Sequence, residues 1–175
     1  MKYQEAVKQS MEMLAGNENT IFIGYNINFG SKAWDTLKDI SNDQKIESPV
    51  AENLMMGLAM GMSLEGFIPI VFFERHDFML IALDAIVNHL CKIESMSQGQ
   101  FKLPLIIRCV IGGKKPLNAG PQHTQDFTEV FKLLMNFPIY EPKTASEVLE
   151  AYKKAENTLG PVMIIEQKDL YNYEE

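Results

Sequence analysis

Ser48-Pro49-Val50-Ala51-Glu52-Asn53-Leu54-Met55-Met56-Gly57-Leu58-Ala59-Met60-Gly61-Met62 decides how the rest of the chain is read. Ser48 is a good N-cap, and Pro49 at the first helical position is pre-set for a helix and loses no needed N–H. The next dozen residues have almost no polar face, so the helix expected over about 50–64 is buried in a core or an interface. Gly57 and Gly61 leave one side of it almost without side chains. A glycine in a helix interior costs about 1 kcal/mol against alanine, and close approach of another backbone is the gain that offsets it. At the mouth of this helix stands one carboxylate, Glu52. An apolar setting disfavours the ionised form of a lone acid, which can then hold and hand over a proton near neutral pH. The competing reading is that Glu52 complements the positive end of the helix dipole. With Ser48 as cap, Glu52 falls one position beyond the place where a capping-box glutamate reaches back.

At 175 residues the chain is one domain with room for a sizeable core. A hydrophobic fraction of 46% and a charged fraction of 22% are those of an ordinary soluble protein. No apolar run reaches the length of a membrane span, and the acids near Met1 do not suit a signal peptide. Cys91 and Cys109 lie within apolar patterns and read as reduced core residues of a cytoplasmic protein. The net charge of −7 argues against nucleic acid or an anionic membrane as partner. The many methionines read as soft packing, not as chemistry.

Outward from the central helix, apolar runs alternate with helical spacing. Helix is expected over 3–15, closed by Gly16, and a buried strand over 20–24. A short helix over 31–40 (Ser31, Ala33, Trp34, Leu37, Ile40) and a brief strand over 45–47 come next. Beyond the central helix, a strand spans 67–73 with Pro69 near its start, and a long helix spans 77–95. A strand over 105–110 leads into a glycine- and proline-rich loop over 112–122 and a helix over 124–135. A short strand over 137–140 precedes a helix over 144–156, capped by Thr144 with Glu147 completing a capping box. A last strand spans 162–165, and the polar tail 168–175 is expected to fray. This alternation implies an α/β fold: a mostly parallel sheet of about six strands with helices on both faces, in three layers. Function in such folds sits at the carboxyl ends of the strands. Glu52, Phe78 and His123 each closely follow an expected strand.

The usual phosphate-binding glycine motifs are absent, as are Cys-x-x-Cys, His-Glu-x-x-His and a Gly-x-Ser elbow. No metal site is therefore expected. Gly112-Gly113-Lys114-Lys115 is a weak phosphate signal, and a solvated loop is the favoured reading. His76 and His89 read as a loop histidine and a helix histidine near the surface. His123, between a glycine-rich loop and a helix, is either functional or a helix cap.

The ordered set of these residues resembles the pyrimidine-binding domain of thiamine-diphosphate-dependent enzymes, in the branch of transketolase and the beta subunits of 2-oxoacid dehydrogenase E1 components. Pro49-Val50-Ala51-Glu52 with its Gly-, Ala- and Met-rich helix resembles the segment that carries the family's catalytic glutamate. Phe72-Phe73, Asp77-Phe78 and Ala82-Leu83-Asp84-Ala85-Ile86-Val87-Asn88 resemble its next strand, aromatic turn and helix. Arg108, the glycine-rich loop and Gln122-His123-Thr124-Gln125 resemble its Gln-His-Ser-Gln segment. The resemblance covers nearly the whole chain. It implies that Glu52 hydrogen-bonds N1′ of the cofactor's aminopyrimidine and so promotes loss of the thiazolium proton. It implies that Phe78 stacks on the pyrimidine, although helical spacing allows core packing instead. It implies that His123 faces the substrate as proton donor or oxyanion partner.

The family's diphosphate and magnesium motif belongs to another domain and has no counterpart in residues 1–175; nor has the C-terminal domain that beta subunits normally carry. Thiamine diphosphate would then be held jointly, with Mg mainly on an alpha-type partner chain, in a hetero-oligomer with dimeric pairing. Glu74-Arg75-His76 replaces a more apolar turn of the beta subunits, which implies a more polar substrate pocket. The function implied is that of the pyrimidine-binding subunit of a split enzyme acting on a small 2-oxoacid or ketose. The alternative is a non-catalytic interaction or regulatory module of the same fold, which would have no need of Glu52 or His123. A doubly wound nucleotide-binding protein is disfavoured by the missing phosphate loop.

Overall fold

The apolar runs form one six-stranded sheet in a computed structural model that describes residues 1–113 and 118–174. The strands are β1 (Thr20–Gly24), β2 (Lys45–Glu47), β3 (Ile68–Phe73), β4 (Ile106–Ile111), β5 (Ile139–Tyr140) and β6 (Val162–Gln167). They lie in the order β2-β1-β3-β4-β6-β5, with every pairing parallel. Side chains alternate across the sheet and build two cores. Phe22, Ile70, Phe72, Ile106, Val110, Val162 and Ile164 face α1 (Tyr3–Ala15) and α6 (Ala145–Glu156). Ile21, Ile23, Val71, Phe73, Ile107, Cys109, Met163 and Ile165 face α2 (Glu52–Leu64), α3 (His76–Met79) and α5 (Thr128–Leu134). The three-layer α/β architecture expected from the alternation is the one observed. Among the described residues no helix is long and apolar enough to cross a membrane.

Pro69 sits second in β3, opposite Ile21, and Thr144 caps α6 by accepting the Glu147 N–H at 3.2 Å. The Glu147 carboxylate reaches the Lys143 N–H rather than that of Thr144, so the box closes one residue early.

Five expectations are corrected. Residues 31–40 form no right-handed helix: Lys32, Ala33, Trp34 and Asp35 have φ of 47, 52, 60 and 63°, a left-handed turn closed by the Asp35 N–H on the Ser31 carbonyl. This conformation costs roughly 1–2 kcal/mol per residue. It is offset by burial of Ala33, Leu37 and Ile40 in the α1-side core and by the Ala33 N–H on the Asn26 carbonyl. The expected helix over 77–95 is broken into α3, a 3₁₀ turn (Leu80–Ala82), a π-helical stretch (Asp84–Leu90) and α4 (Cys91–Met96). No glycine or proline marks those breaks. The helix expected from 124 starts at Thr128, because Asp126 Oδ1 takes the Thr128 N–H and the preceding residues turn back onto Gly120. The tail does not fray: Tyr171 is buried and donates to Glu166, and Lys2 bridges Glu174. Of the expected 112–122 loop, Lys114 to Leu117 lie outside the described residues.

The fifth correction concerns the central helix. The Ser48 N–H prolongs the parallel ladder by bonding the Gly24 carbonyl at 2.8 Å. That bond ties Ser48 to the sheet, Ser48 and Pro49 lie outside any helix, and α2 begins at Glu52 with Ala51 as its N-cap and without a side-chain cap. Glu52 is therefore the first helical residue, not the fourth.

Candidate active site

The carboxyl ends of β1, β2, β3 and β4 lie on one edge of the sheet, and the expected site residues follow them. Glu47, which ends β2, accepts the backbone N–H groups of Asn26, Ile27 and Asn28 at 2.6, 3.0 and 2.7 Å. A carboxylate taking three N–H donors fixes the loop after β1. That loop carries Tyr25, whose hydroxyl donates to Glu52 Oε1 at 3.2 Å. Burial, then the neighbouring Glu52 charge, pushes the Tyr25 phenol well above its ordinary range, so it stays a proton-bearing donor. Glu52 itself is only 3% exposed.

From Glu52 a contiguous row of rings runs along the edge. The Tyr25 ring lies 6.4 Å from Phe78, tilted by 49°, and Phe78 meets His123 edge-on at 5.3 Å. Asp77, Phe78, Gln122, His123 and Gln125 line a hollow of about 310 Å³. Gln125 Nε2 donates to Asp77 Oδ1 at 2.7 Å and so clamps the segment after β4 to the start of α3. Phe78 is half-buried: it packs against the α2-side core and also lines the hollow. His123 lies in a turn before α5, its N–H on the Gly120 carbonyl, and does not cap the helix.

His76 is corrected from a surface loop residue to a fully buried one. Its Nδ1 accepts the Phe127 N–H at 3.2 Å, its ring meets Phe131 edge-on at 4.8 Å, and Nε2 has no partner. Burial lowers its pKa to about 4, outweighing Asp126 and Asp77. The neutral ring thus pins the start of α5 beneath the hollow. His89 is exposed, as expected. Arg108 is not at the site: it lies in the α1-side core, paired with Glu166. Among the described residues no group of three or more His, Cys, Asp or Glu could hold a metal ion.

Sequence reasoning missed Tyr25 and Glu47. Tyr25 had a usable signal, since it directly follows β1 at the carboxyl edge. Glu47 had none, because its three donors are backbone groups.

With this geometry in place, comparison with known proteins is decisive for the family. Residues 1–174 match the family described as "Transketolase, pyrimidine binding domain". The chain belongs to this family. It is 28% identical over 173 residues to the pyruvate dehydrogenase E1 component subunit beta of Cyanidium caldarium, covering 96% of this chain and 52% of that protein. It is 29% identical over 176 residues to the mitochondrial subunit of the same name from Saccharomyces cerevisiae, covering 98% and 48%. The chain thus spans about half the length of the curated relatives it matches. Among solved structures, a split-gene transketolase described as an inactive beta4 tetramer superposes with a TM-score of 0.77 at 22% identity, covering 100% of this chain and 53% of that one. A putative thiamin diphosphate-dependent enzyme from Mycobacterium smegmatis superposes with a TM-score of 0.66 at 19% identity, covering 98% and 31%. At those identities the two superpositions speak for the fold alone.

Proposed function

We propose that this pyrimidine-binding domain is the half-site of a thiamine-diphosphate-dependent enzyme acting on a 2-oxoacid or ketose, completed by a partner chain that binds the diphosphate and Mg. The observation that carries the reading is the contiguous row Glu52–Tyr25–Phe78–His123, whose Phe78 and His123 end lines the hollow. The donor set fits an aminopyrimidine. Glu52 is a nearly buried carboxyl with Oε1 held by Tyr25 and Oε2 without a partner among the described residues. Phe78 offers a flat apolar ring for a flat ring. Thiamine diphosphate, when bound, supplies the carbanion-stabilising chemistry that these side chains lack. The protein's residues orient it and move protons: Glu52 bonds the ring nitrogen N1′, and Tyr25 fixes the carboxyl's direction. His123 lies across Phe78 on the substrate side, as proton donor or oxyanion partner.

The partner chain is supported by α2. An added Cβ at Gly57 or Gly61 meets nothing within 4 Å, so among the described residues no other element packs on those glycines. Around them Val50 is 75% and Leu54 56% exposed, with Leu58, Leu64 and Ile81 also uncovered. An uncharged helix face of this kind suits burial against an alpha-type subunit or a second copy. Cys91 and Cys109 are free thiols, which supports a reducing, cytoplasmic setting.

The test is Glu52→Gln, reconstituted with the partner chain. Tyr25 can still donate to the amide oxygen, so the fold holds, and turnover falls on the order of 10²–10⁴-fold. Wild-type turnover by this variant contradicts the assignment.

A further inference from the structure

The amino ends of the strands form the edge of the sheet opposite the hollow, and a second cavity, of about 450 Å³, opens there. Leu103, Phe137 and Pro161, which lead into β4, β5 and β6, line it together with Leu90, Ile93 and Phe101. A volume of this size with mostly apolar walls and a few polar groups is that of a small-molecule pocket. The polar groups are Ser95, Gln98 and Asn136, all uncharged. Glu94 is the one charged side chain among the described residues of the lining, and it pairs with Lys102 at 3.9 Å. An anion entering the cavity meets that carboxylate and no cation of the wall. The lining therefore suits neither a 2-oxoacid nor a diphosphate.

The cavity and the hollow are joined by two shared segments. Residues 77–96 begin at the hollow with Asp77 and Phe78 and reach the cavity at 90–95. Residues 122–137 begin at the hollow with Gln122 and His123, pass through α5 and reach the cavity with Asn136 and Phe137. The two segments are tied at both ends. Gln125 Nε2 donates to Asp77 Oδ1 at 2.7 Å beside the hollow, and Asn136 Nδ2 donates to the Cys91 carbonyl at 2.8 Å beside the cavity. Between the ties, Met79, Ile86 and Leu90 of one segment and Phe131 and Met135 of the other belong to one core. A close-packed core transmits a shift instead of absorbing it. The first segment also carries the π-helical stretch Asp84–Leu90, a geometry that occurs frequently at functional sites.

We propose that this cavity is an effector site for an uncharged, largely apolar ring compound with one hydrogen-bonding group, and that its occupancy alters the setting of Phe78 and His123. Binding here does not depend on the thiamine diphosphate reading, and both of its signatures are readable in the free chain.

Cys91 lines the cavity as a half-buried thiol, whereas Cys109 is fully buried. Alkylation of Cys91 by iodoacetamide, followed by mass spectrometry, therefore reports occupancy at this place. The probe is indole, with indole-3-acetate as its anionic counterpart. Indole is expected to slow Cys91 alkylation saturably and to shift the imidazole proton resonance of His123 with the same midpoint. Indole-3-acetate is expected to bind roughly tenfold or more weakly, because its carboxylate is taken out of water without a partner. Ser95→Trp fills the cavity from an exposed position on its wall, so that added indole changes neither signal. No slowing in the wild-type chain overturns the proposal, as does equal slowing by the two probes. Slowing that leaves His123 unmoved overturns it too, and so does an indole effect that persists in Ser95→Trp.

Discussion

Glu166→Gln perturbs the support beneath the carboxyl ends of β4 and β6. Arg108 and Glu166 are both fully buried, joined by Nε–Oε1 at 2.8 Å and Nη2–Oε2 at 3.0 Å. Tyr152 and Tyr171 also donate to Glu166, so the carboxylate accepts four bonds, two per oxygen. The Arg108 guanidinium lies 4.7 Å from the Phe72 ring, and its Nη1 has no acceptor. Glutamine keeps the shape but replaces one acceptor oxygen with an N–H₂ donor that must face donors, and it leaves Arg108 buried without a counter-charge. Breaking a buried pair in this way costs about 3–5 kcal/mol. For a domain of this size each kcal/mol shifts Tm by about 2–4 °C, so the variant melts roughly 6–20 °C lower. Thermal and urea unfolding followed by circular dichroism measure it. Arg108→Met and the double variant complete a cycle whose coupling is expected to be at least about 2 kcal/mol. A single-variant loss below about 1 kcal/mol, or additive effects, would refute the view that this network holds the strand ends.

His76 makes stability fall in acid. Its native pKa of about 4 lies below the ordinary value of 6.5, so the unfolded chain binds the extra proton; the stability it confers is full above pH 6.5 and lost toward pH 4. Urea unfolding at pH 7 and 4.5 is expected to show a wild-type loss exceeding that of His76→Asn by roughly 2–3 kcal/mol; equal losses would contradict the buried neutral ring. Lys32→Gly relieves one left-handed residue and is expected to stabilise by about 0.5–1 kcal/mol, the conformational relief less the added chain entropy. Destabilisation in the same assay would count against the left-handed turn.

Much of the fold was legible because strands buried on both faces leave short continuous apolar runs, and α1 and α6 leave clean helical spacing. Glu52, Phe78 and His123 were legible as a set because each follows a strand and the residues around them carry a family resemblance. What escaped was set by tertiary contacts. The spacing of Ala33, Leu37 and Ile40 is satisfied equally by a left-handed turn once the core claims those side chains. The start of α2 moved because Ser48 serves the β2 ladder, a choice local preference does not see. Tyr171 lies in a polar tail but is drawn inward by Glu166, and the burial of His76 follows from α5 folding over it. The π-helical stretch leaves no mark in residue type.

The central claim is a half-site that needs a second chain. Isothermal titration of thiamine diphosphate with Mg, on this chain alone and again mixed with a partner carrying a diphosphate-binding domain, tests it most directly. The account predicts tight binding only in the mixture, weakened by Phe78→Ala. Tight binding by the lone chain, or binding in the mixture indifferent to Phe78, would contradict it.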